Sequence, residues 1–169
     1  RETLYSCGLR VSELCNLKLS DLYFEEGFIK VEGKGSKQRL VPISPRAIKE
    51  IKYWLTDRNL GKIKKGYEDY VFLARWGNNI SRIMVFHMIK ELAEKTGITK
   101  NISPHTFRHS FATHLLEGGA NLRAIQCMLG HESIATTEIY THIDRNMLRS
   151  EIIEHHPRNI KYRKERGIY

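Results

Sequence analysis

The sequence has few of the features that mark secreted, membrane-embedded or metal-binding proteins. Its 169 residues include three cysteines, Cys7, Cys15 and Cys127, and none of them pair with the C-x-x-C spacing of a metal or redox site. An odd number of cysteines among apolar neighbours predicts reduced core residues in an intracellular protein. No apolar run has the length of a membrane span, and no signal peptide is recognisable. These absences favour a cytoplasmic protein with no contact to a membrane.

Acidic residues are also scarce relative to basic ones. Lysine and arginine number 28 against 19 aspartates and glutamates, which gives a net charge of +9 and an isoelectric point near 9.5. Such a surplus favours a polyanionic partner, and nucleic acid is favoured over a membrane surface because the sequence has no basic amphipathic anchor. The length suits one domain with a substantial core.

The first ten residues, RETLYSCGLR, have the pattern of a helix that lacks its beginning. We therefore interpret the sequence as a fragment of a longer protein. Within it, residues 1–157 are predicted to form one domain, and residues 158–169 a basic C-terminal tail with few contacts of its own. No internal repeat or low-complexity segment interrupts this division.

The spacing of apolar residues predicts a mainly helical α+β fold. Ser12, Ser103 and Asn121 are placed to act as N-caps, because their side chains can accept hydrogen bonds from a first helical turn. The predicted helices cover residues 2–7, a short helix from Ser12 to near LSDLYF, 44–60, 81–95, 104–117, 121–129, and one or two more up to Pro157. The apolar positions assigned to the core include Met84, Val85, Met88, Ile89 and Leu92 in one helix and Leu122, Ile125, Met128 and Leu129 in another.

A small three-stranded antiparallel sheet is predicted between the helices. Residues 28–32 alternate as a strand, GKGSK forms a turn, and residues 38–43 form the partner strand. Pro42 predicts an edge position for this second strand, because proline cannot donate to a ladder. Residues 69–75, DYVFLAR, are the candidate for the third strand.

The stretch SPHTFRH at residues 103–109 indicates a phosphate site. Ser103 and Pro104 predict a helix start, and His105 and Arg108 stand three positions apart on one side of that helix. Phe107 and Phe111 occupy the opposite, apolar side. A helix N-terminus already favours an anion, so an imidazole and a guanidinium added there suit a phosphate group.

Three other stretches carry groups suited to phosphate. Arg10 follows a glycine break in GLRVSEL, Lys34 stands at the hairpin tip in GKGSK, and His131 precedes Tyr140 in LGHESIATTEIYTH. Taken alone, each has an ordinary explanation: an ion-paired arginine, a solvated lysine, a capping histidine and a core tyrosine. GKGSK also lacks the G-x-x-x-x-G-K-[ST] pattern of a nucleotide P-loop.

A metal site is the competing interpretation of the histidines. His105 and His109 are four positions apart, as a zinc pair would be, but Thr106 stands where H-E-x-x-H has its glutamate. No nearby carboxylate or cysteine completes a coordination shell, so we predict no metal. His109, His114 and His142 are interpreted as packing or hydrogen-bonding residues, with His109 nearest the site.

The order of the four stretches resembles the tyrosine recombinase (phage integrase) family. The motifs are G-L-R-x-S-E-L, G-K-G-x-K-x-R-x-V-P, S-P-H-x-x-R-H-x-x-A-T-H-L and L-G-H-x-x-x-x-T-T-x-x-Y-T-H. The likeness extends from about residue 2 to Pro157 and is greatest to the bacterial Xer recombinases, which resolve chromosome dimers. It implies the family's helical catalytic domain, without the N-terminal core-binding domain that family members also carry.

The resemblance implies a site-specific DNA recombinase that acts through a 3′-phosphotyrosine intermediate, with no cofactor, ATP or metal. It places the catalytic residues at Arg10, Lys34, His105, Arg108, His131 and Tyr140. The two arginines would hold the non-bridging phosphate oxygens with help from His131. Tyr140 would be the nucleophile, His105 its base and Lys34 the general acid for the 5′ oxygen.

The implied partner is a double-stranded DNA recombination site, bound in the cytoplasm at the bacterial nucleoid. Lys37, Arg39 and Arg123 are predicted to contact the DNA backbone without reading sequence. A homo- or heterotetramer is expected on the DNA, with the helix near residues 147–154 packed on a neighbouring protomer. The alternatives are an integrase or excisionase of a phage or conjugative transposon, a non-catalytic DNA-binding module and a metal-dependent phosphohydrolase.

Overall fold

The computed structural model describes residues 2–130 and 145–165, and helices make up most of both ranges. Their bounds are α1 (Glu2–Cys7), α2 (Val11–Cys15), α3 (Pro45–Leu60), α4 (Arg82–Lys95), α5 (Pro104–Glu117), α6 (Leu122–Leu129), α7 (Arg145–His155) and α8 (Pro157–Glu165). Short 3₁₀ turns cover Leu19–Asp21 and Lys34–Ser36. None of the described helices is both long enough and apolar enough to cross a membrane.

Side-chain caps explain where several helices begin. Ser44, Ser81 and Asn121 precede α3, α4 and α6, and their side-chain oxygens accept main-chain N–H groups at 3.1, 3.2 and 2.9 Å respectively. Gly130 ends α6 with φ of 68°, a left-handed conformation that glycine adopts without steric cost. The predicted Asn121 and Gly130 boundaries are confirmed.

The sheet is antiparallel and contains β1 (Leu22–Tyr23), β2 (Phe28–Glu32) and β3 (Gln38–Pro42) in that order. The predicted fold class, the hairpin and the edge position of Pro42 are confirmed. The prediction for residues 69–75 is wrong, because this segment forms only the isolated bridges Lys18 to Tyr70 and Leu73 to Asn79. The third strand is instead Leu22–Tyr23, which is too short to show an alternating pattern.

Two apolar clusters form the core of the described chain. One joins α1 to α4 and the sheet, and the other joins α5, α6 and α7 around Phe111, Leu115 and Ile152. Helix α5 contacts both, because Phe107 packs against the first cluster while Phe111 and Leu115 are fully buried in the second. The stripe read from the sequence of α5 is confirmed. Its apolar side therefore spans the place where the two clusters meet.

Some predicted details of the helices are wrong. The N-cap of α2 is Arg10 rather than Ser12, since the helix begins at Val11. Leu122 and Met88 are 54% and 56% exposed, although their spacing suggested burial, and Met84 is exposed as well. The basic stretch after Pro157, predicted as a tail with few contacts of its own, is helical over Pro157–Glu165. It forms α8, in which Asn159 is buried.

Candidate active site

Arg10 lies at the junction between α1 and α2, which a glycine allows to pack closely on α5. Gly8 has φ of 63°, and a Cβ atom there would lie 2.4 Å from the ring of Phe111. Two residues later, the main-chain N–H of Arg10 donates to the Glu13 carboxylate at 3.1 Å and fixes the start of α2. The Arg10 side chain remains 38% exposed. The main chain of Arg10 is thereby fixed, and its side chain is accessible to a ligand.

Arg108 extends from α5 to two main-chain carbonyls in other elements. Its Nη1 donates to the carbonyl oxygen of Gly8 at 2.8 Å, and its Nη2 donates to that of Leu129 at 2.5 Å. Burial lowers the pKa of Arg108 to about 10, and the positive charge of Arg10 contributes to the same shift. Because Gly8 precedes Arg10 by two residues, the bond to its carbonyl brings Arg108 to the junction that carries Arg10.

Glu13 provides the negative charge among these arginines, and the sequence prediction missed it. Its side chain is almost fully buried and accepts a hydrogen bond from Arg10 Nη1 at 3.0 Å. Burial alone would raise the pKa of this carboxyl, but hydrogen bonds and charge from Arg39 and Arg10 hold it below its ordinary value. The carboxylate therefore stays ionised at neutral pH.

Arg39 also belongs to this cluster, which corrects the expectation that it contacts the DNA backbone. The residue is 9% exposed, and its Nη1 and Nη2 donate to the two Glu13 carboxylate oxygens at 2.8 and 2.9 Å. Its Nε donates to the carbonyl oxygen of Met128 at 2.9 Å. With its donors engaged inside the protein, Arg39 does not face the solvent as a phosphate contact must.

The sequence contained a signal for the burial of both residues. In β3, Arg39 alternates with Val41, and Val41 pairs with the buried Ile29 of β2. Arg39 therefore lies on the core-facing side of the strand. Glu13 stands between Val11 and Leu14 in a helix in which Ser12 alone is not buried, so its carboxylate enters the same space.

Lys34 is exposed in the loop between β2 and β3, as the predicted hairpin tip requires. This loop contains a left-handed Gly35, with φ of 70°. Lys34 and Arg10 line the same polar cavity of about 630 Å³, together with Lys18 and Lys30. The lining also includes Glu13, Asp21 and Glu32, so the hairpin lysine and Arg10 share a cavity of mixed charge.

His105 is exposed in the first turn of α5, one turn before Arg108. The start of this helix is fixed by Thr106, whose hydroxyl accepts the Ser103 main-chain N–H at 3.1 Å. His109 is also exposed, with a long 3.5 Å contact to Thr113, whereas His114 bonds the hydroxyl of Tyr5 at 2.7 Å. The hydrogen-bonding role predicted for His114 is confirmed.

The remaining candidates differ in what the structure describes of them. His131, Tyr140 and His142 lie outside the described residues. Lys37 is exposed at the end of the hairpin loop, and Arg123 is exposed in the first turn of α6. Both positions are compatible with contact to a large anionic partner.

The described part of the site is a positively charged cluster built around one carboxylate. Arg10, Arg39 and Arg108 contribute three positive charges and Glu13 one negative charge. Charges in a poorly solvated position are stabilised by partners of opposite sign, so an anion bound beside Arg10 and Arg108 would relieve their repulsion. Planar guanidinium groups match the oxygens of a phosphate in paired hydrogen bonds.

Comparison with known proteins identifies a family match over most of the chain. Residues 2–147 match the Phage integrase family model. The chain is 50% identical over 157 residues to tyrosine recombinase XerD of Chlorobaculum tepidum and 46% identical over 157 residues to XerD of Staphylococcus saprophyticus. Each alignment covers 93% of the chain and 52% or 53% of the relative. The chain therefore spans about half the length of these proteins.

Solved structures show the same architecture. XerA recombinase has a TM-score of 0.72 and 37% identity over 92% of this chain and 56% of its own. XerH bound to difH substrate in a pre-cleavage complex has a TM-score of 0.67 and 30% identity over 89% and 44%. The Tn1549 transposon integrase in complex with circular intermediate DNA has a TM-score of 0.65 and 29% identity over 89% and 54%.

Proposed function

Because the chain belongs to the phage integrase family, we propose that the protein is a tyrosine recombinase, which cleaves DNA strands and rejoins them without ATP or metal. The observation that carries this proposal is the hydrogen bond from Arg108 to the Gly8 carbonyl, which joins α5 to the junction where Arg10 binds Glu13. The similarity to XerD proteins over 93% of the chain supports the same conclusion.

The arginines provide the main stabilisation of the transition state in this proposal. Attack at phosphorus increases the negative charge on the two non-bridging oxygens. Preorganised guanidinium groups therefore stabilise the transition state more strongly than the ground state. Arg108 is fixed by two carbonyl oxygens and Arg10 by Glu13, so neither has to be ordered during the reaction. His131 is assigned as a further hydrogen-bond donor from its place in the family motif.

Tyr140 is assigned as the nucleophile and Lys34 as the general acid. The phenol has an ordinary pKa of about 10, so its attack requires nearby positive charge and a base, the role given to His105. The oxygen of Tyr140 forms a bond to phosphorus while the bond to the 5′ oxygen breaks, and Lys34 supplies the proton that this oxygen takes up. The exposed position of Lys34 beside the Arg10 cavity supports its role.

The covalent intermediate explains why recombination needs no external energy. The phosphotyrosine bond retains the energy of the phosphodiester, so a 5′ hydroxyl from another strand can attack it and release Tyr140. Hydrolysis by a metal-activated water would instead leave free ends. We therefore assign strand exchange, rather than nuclease activity, to this site.

The proposed biological role is the resolution of chromosome dimers by an Xer-type enzyme, in the cytoplasm at the nucleoid. The 43–50% identity to XerD proteins supports this role. Integration or excision of a mobile element is the alternative, and the similarity to the Tn1549 integrase, at 29% identity, is the observation that favours it. Sequencing of DNA covalently trapped on the protein in its own cells distinguishes a single chromosomal site from the ends of an element.

The proposed assembly on DNA is a homo- or heterotetramer of the intact protein, joined by its C-terminal helix. Residues 1–157 would form its catalytic domain, next to a core-binding domain outside this chain. In the structure, α7 packs against α5 and α6 of its own chain, with Ile152 buried. Analytical ultracentrifugation of the protein with its DNA site tests the stoichiometry.

One assay distinguishes the proposed enzyme from the other classes of protein. The intact protein is incubated in EDTA with a suicide substrate, a duplex nicked beside the cleavage position so that the short product diffuses away. A covalent protein–DNA adduct that disappears in Tyr140→Phe, while binding persists, is the expected result. Binding without any adduct would indicate a non-catalytic module, and cutting that EDTA abolishes would indicate a metal-dependent phosphohydrolase.

A further inference from the structure

Arg39 is the most completely buried arginine near the candidate active site, and the proposed reaction assigns it no role. It lies in β3, 9% exposed, opposite Val31 of β2. Three of its nitrogens donate hydrogen bonds of 2.8 to 2.9 Å within the protein. Each nitrogen is bonded within the protein and the residue is 9% exposed, so Arg39 acts on its surroundings chiefly through these partners.

Both partners of Arg39 lead to a proposed catalytic arginine. The first is Glu13, which accepts hydrogen bonds from the side chain and the main-chain N–H of Arg10 at 3.0 and 3.1 Å. The second is the carbonyl oxygen of Met128, at the end of α6. The carbonyl oxygen of the next residue, Leu129, accepts a hydrogen bond from Arg108. Arg39 therefore connects the anchor of one arginine to the anchor of the other.

The geometry is specific to a guanidinium group. Two nitrogens bind the two Glu13 oxygens side by side, while Nε binds the Met128 carbonyl in a third direction. A lysine has one side-chain nitrogen on a flexible chain, so it cannot hold the Glu13 carboxylate and the Met128 carbonyl in one fixed arrangement. The fit is close on the other side as well, since a Cβ atom at Gly130 would lie 3.0 Å from Arg39 Cδ.

We propose that Arg39 is a positioning residue that sets the relative placement of Arg10 and Arg108 by holding Glu13 and the end of α6 together. This inference rests on the proposed recombinase function. In the absence of Arg39, Glu13 and the C-terminus of α6 lose their common partner. The two catalytic guanidinium groups then meet the phosphate less accurately, which slows the chemical step more than it weakens DNA binding.

The test compares Arg39→Lys and Arg39→Met with matched changes at Arg58 in the intact protein. Arg58 is also buried, at 5%, and also donates to main-chain carbonyls, those of Tyr70 and Glu68, but it contacts none of the site residues. The measurements are the single-turnover rate of adduct formation on saturating suicide substrate, the dissociation constant for the same DNA, and thermal unfolding. Arg39→Lys keeps the positive charge beside Glu13, so it can be measured if Arg39→Met does not fold.

The expected result is that the rate of the chemical step falls while DNA affinity is nearly unchanged. Both Arg39 variants should form adduct on the order of 100-fold more slowly, with the dissociation constant within about threefold of wild type. The Arg58 variants should lose comparable thermal stability and retain the wild-type rate. Rates that fall only in proportion to lost stability at both positions would assign Arg39 a purely structural role and overturn the inference.

The pH dependence provides a readout that a purely structural role would not change. Among the described residues, the charged groups that act on Glu13 are Arg10 at the α1–α2 junction, Arg39 in β3 and Arg108 in α5. In Arg39→Met, burial still raises the pKa of Glu13 and its strongest opposing partner is absent. The ratio of variant to wild-type rate should therefore fall as the pH is lowered and Glu13 takes up a proton more readily than in wild type. Adding Glu13→Gln to Arg39→Met should abolish this extra pH dependence.

The outcomes separate this inference from the function on which it rests. A wild type that forms no adduct overturns the recombinase proposal and the inference with it. An active wild type whose Arg39 variants cleave within about threefold of its rate overturns the inference alone. A rate ratio that does not change with pH in Arg39→Met also contradicts positioning through Glu13.

Discussion

Arg108 donates a 2.8 Å hydrogen bond to the carbonyl oxygen of Gly8, a residue 100 positions earlier in the chain. The bond joins α5 to the junction that carries Arg10, so the two guanidinium groups share a support. Gly8 makes this possible, since its φ of 63° and the missing Cβ let the junction approach Phe111. The proposed catalytic geometry therefore depends on a residue that carries no chemistry.

Replacement of Gly8 by alanine should lower both stability and activity. The new Cβ would overlap the Phe111 ring, and alanine is unfavourable at this positive φ. Together these effects should lower the free energy of unfolding by about 3 kcal/mol. Urea denaturation measures this change. Gly97→Ala is the control, because Gly97 has a similar φ of 69° with no atom within 4 Å. Equal destabilisation at both positions would show that contact with Phe111 has no part in it.

Arg10 and Arg108 should differ in what their substitution costs the fold. Arg108→Lys leaves two carbonyls without their donors and should lower the free energy of unfolding by about 1–3 kcal/mol. Arg10→Lys, at a partly exposed position, should change it by less than about 1 kcal/mol. Both should slow adduct formation at least on the order of 100-fold. Exposed Arg75→Lys should match wild type in both measurements, and a normal rate in either site variant would contradict the assignment.

Glu13 should stabilise the protein in a pH-dependent way. Its folded-state pKa lies below its ordinary value of 4.5, so its stabilisation is present above that pH and is lost as pH falls through the folded-state pKa. Glu13→Gln should therefore cost about 3 kcal/mol at neutral pH, with a smaller difference from wild type in acid. Urea denaturation at several pH values measures this, with the exposed Glu25→Gln expected to have no effect. A difference that stays constant into acid would contradict an ionised, paired Glu13.

Lys34 should affect cleavage through the departing oxygen. Lys34→Ala should slow adduct formation on the order of 100-fold or more, because the 5′ oxygen leaves poorly without a proton. A substrate with sulfur in place of that bridging oxygen needs no proton, so the variant should cleave it at nearly the wild-type rate. Arg10→Lys is the control and should remain slow on the sulfur substrate. If sulfur does not rescue Lys34→Ala, the lysine is not the general acid.

The sequence predicted features that depend on local chemistry. Ser103 and Pro104 set the start of α5, the apolar stripe of that helix identified its buried side, and GKGSK identified the hairpin. The catalytic candidates were found from the order of the motifs. Neither composition nor periodicity reveals that residues far apart in the chain, such as Arg10 and Arg108, lie close together in the fold.

Arg39 and Glu13 show what this approach missed. A basic residue next to a hairpin suggests contact with DNA, and the alternation of Arg39 with Val41, which indicates the core-facing side, was not weighed against it. Glu13 was overlooked because its importance comes from its partners. The strand Leu22–Tyr23 was missed because its two residues pair only through tertiary contact with β2.

The most direct test of the proposed mechanism is to identify the amino acid that becomes bonded to DNA. The intact protein is trapped on a suicide substrate in EDTA, digested with trypsin and nuclease, and analysed by mass spectrometry. The mechanism predicts one modified peptide, with a nucleotide joined through its 3′ phosphate to Tyr140. A 3′ phosphate on any other residue, or cleaved DNA with no peptide attached, would contradict it.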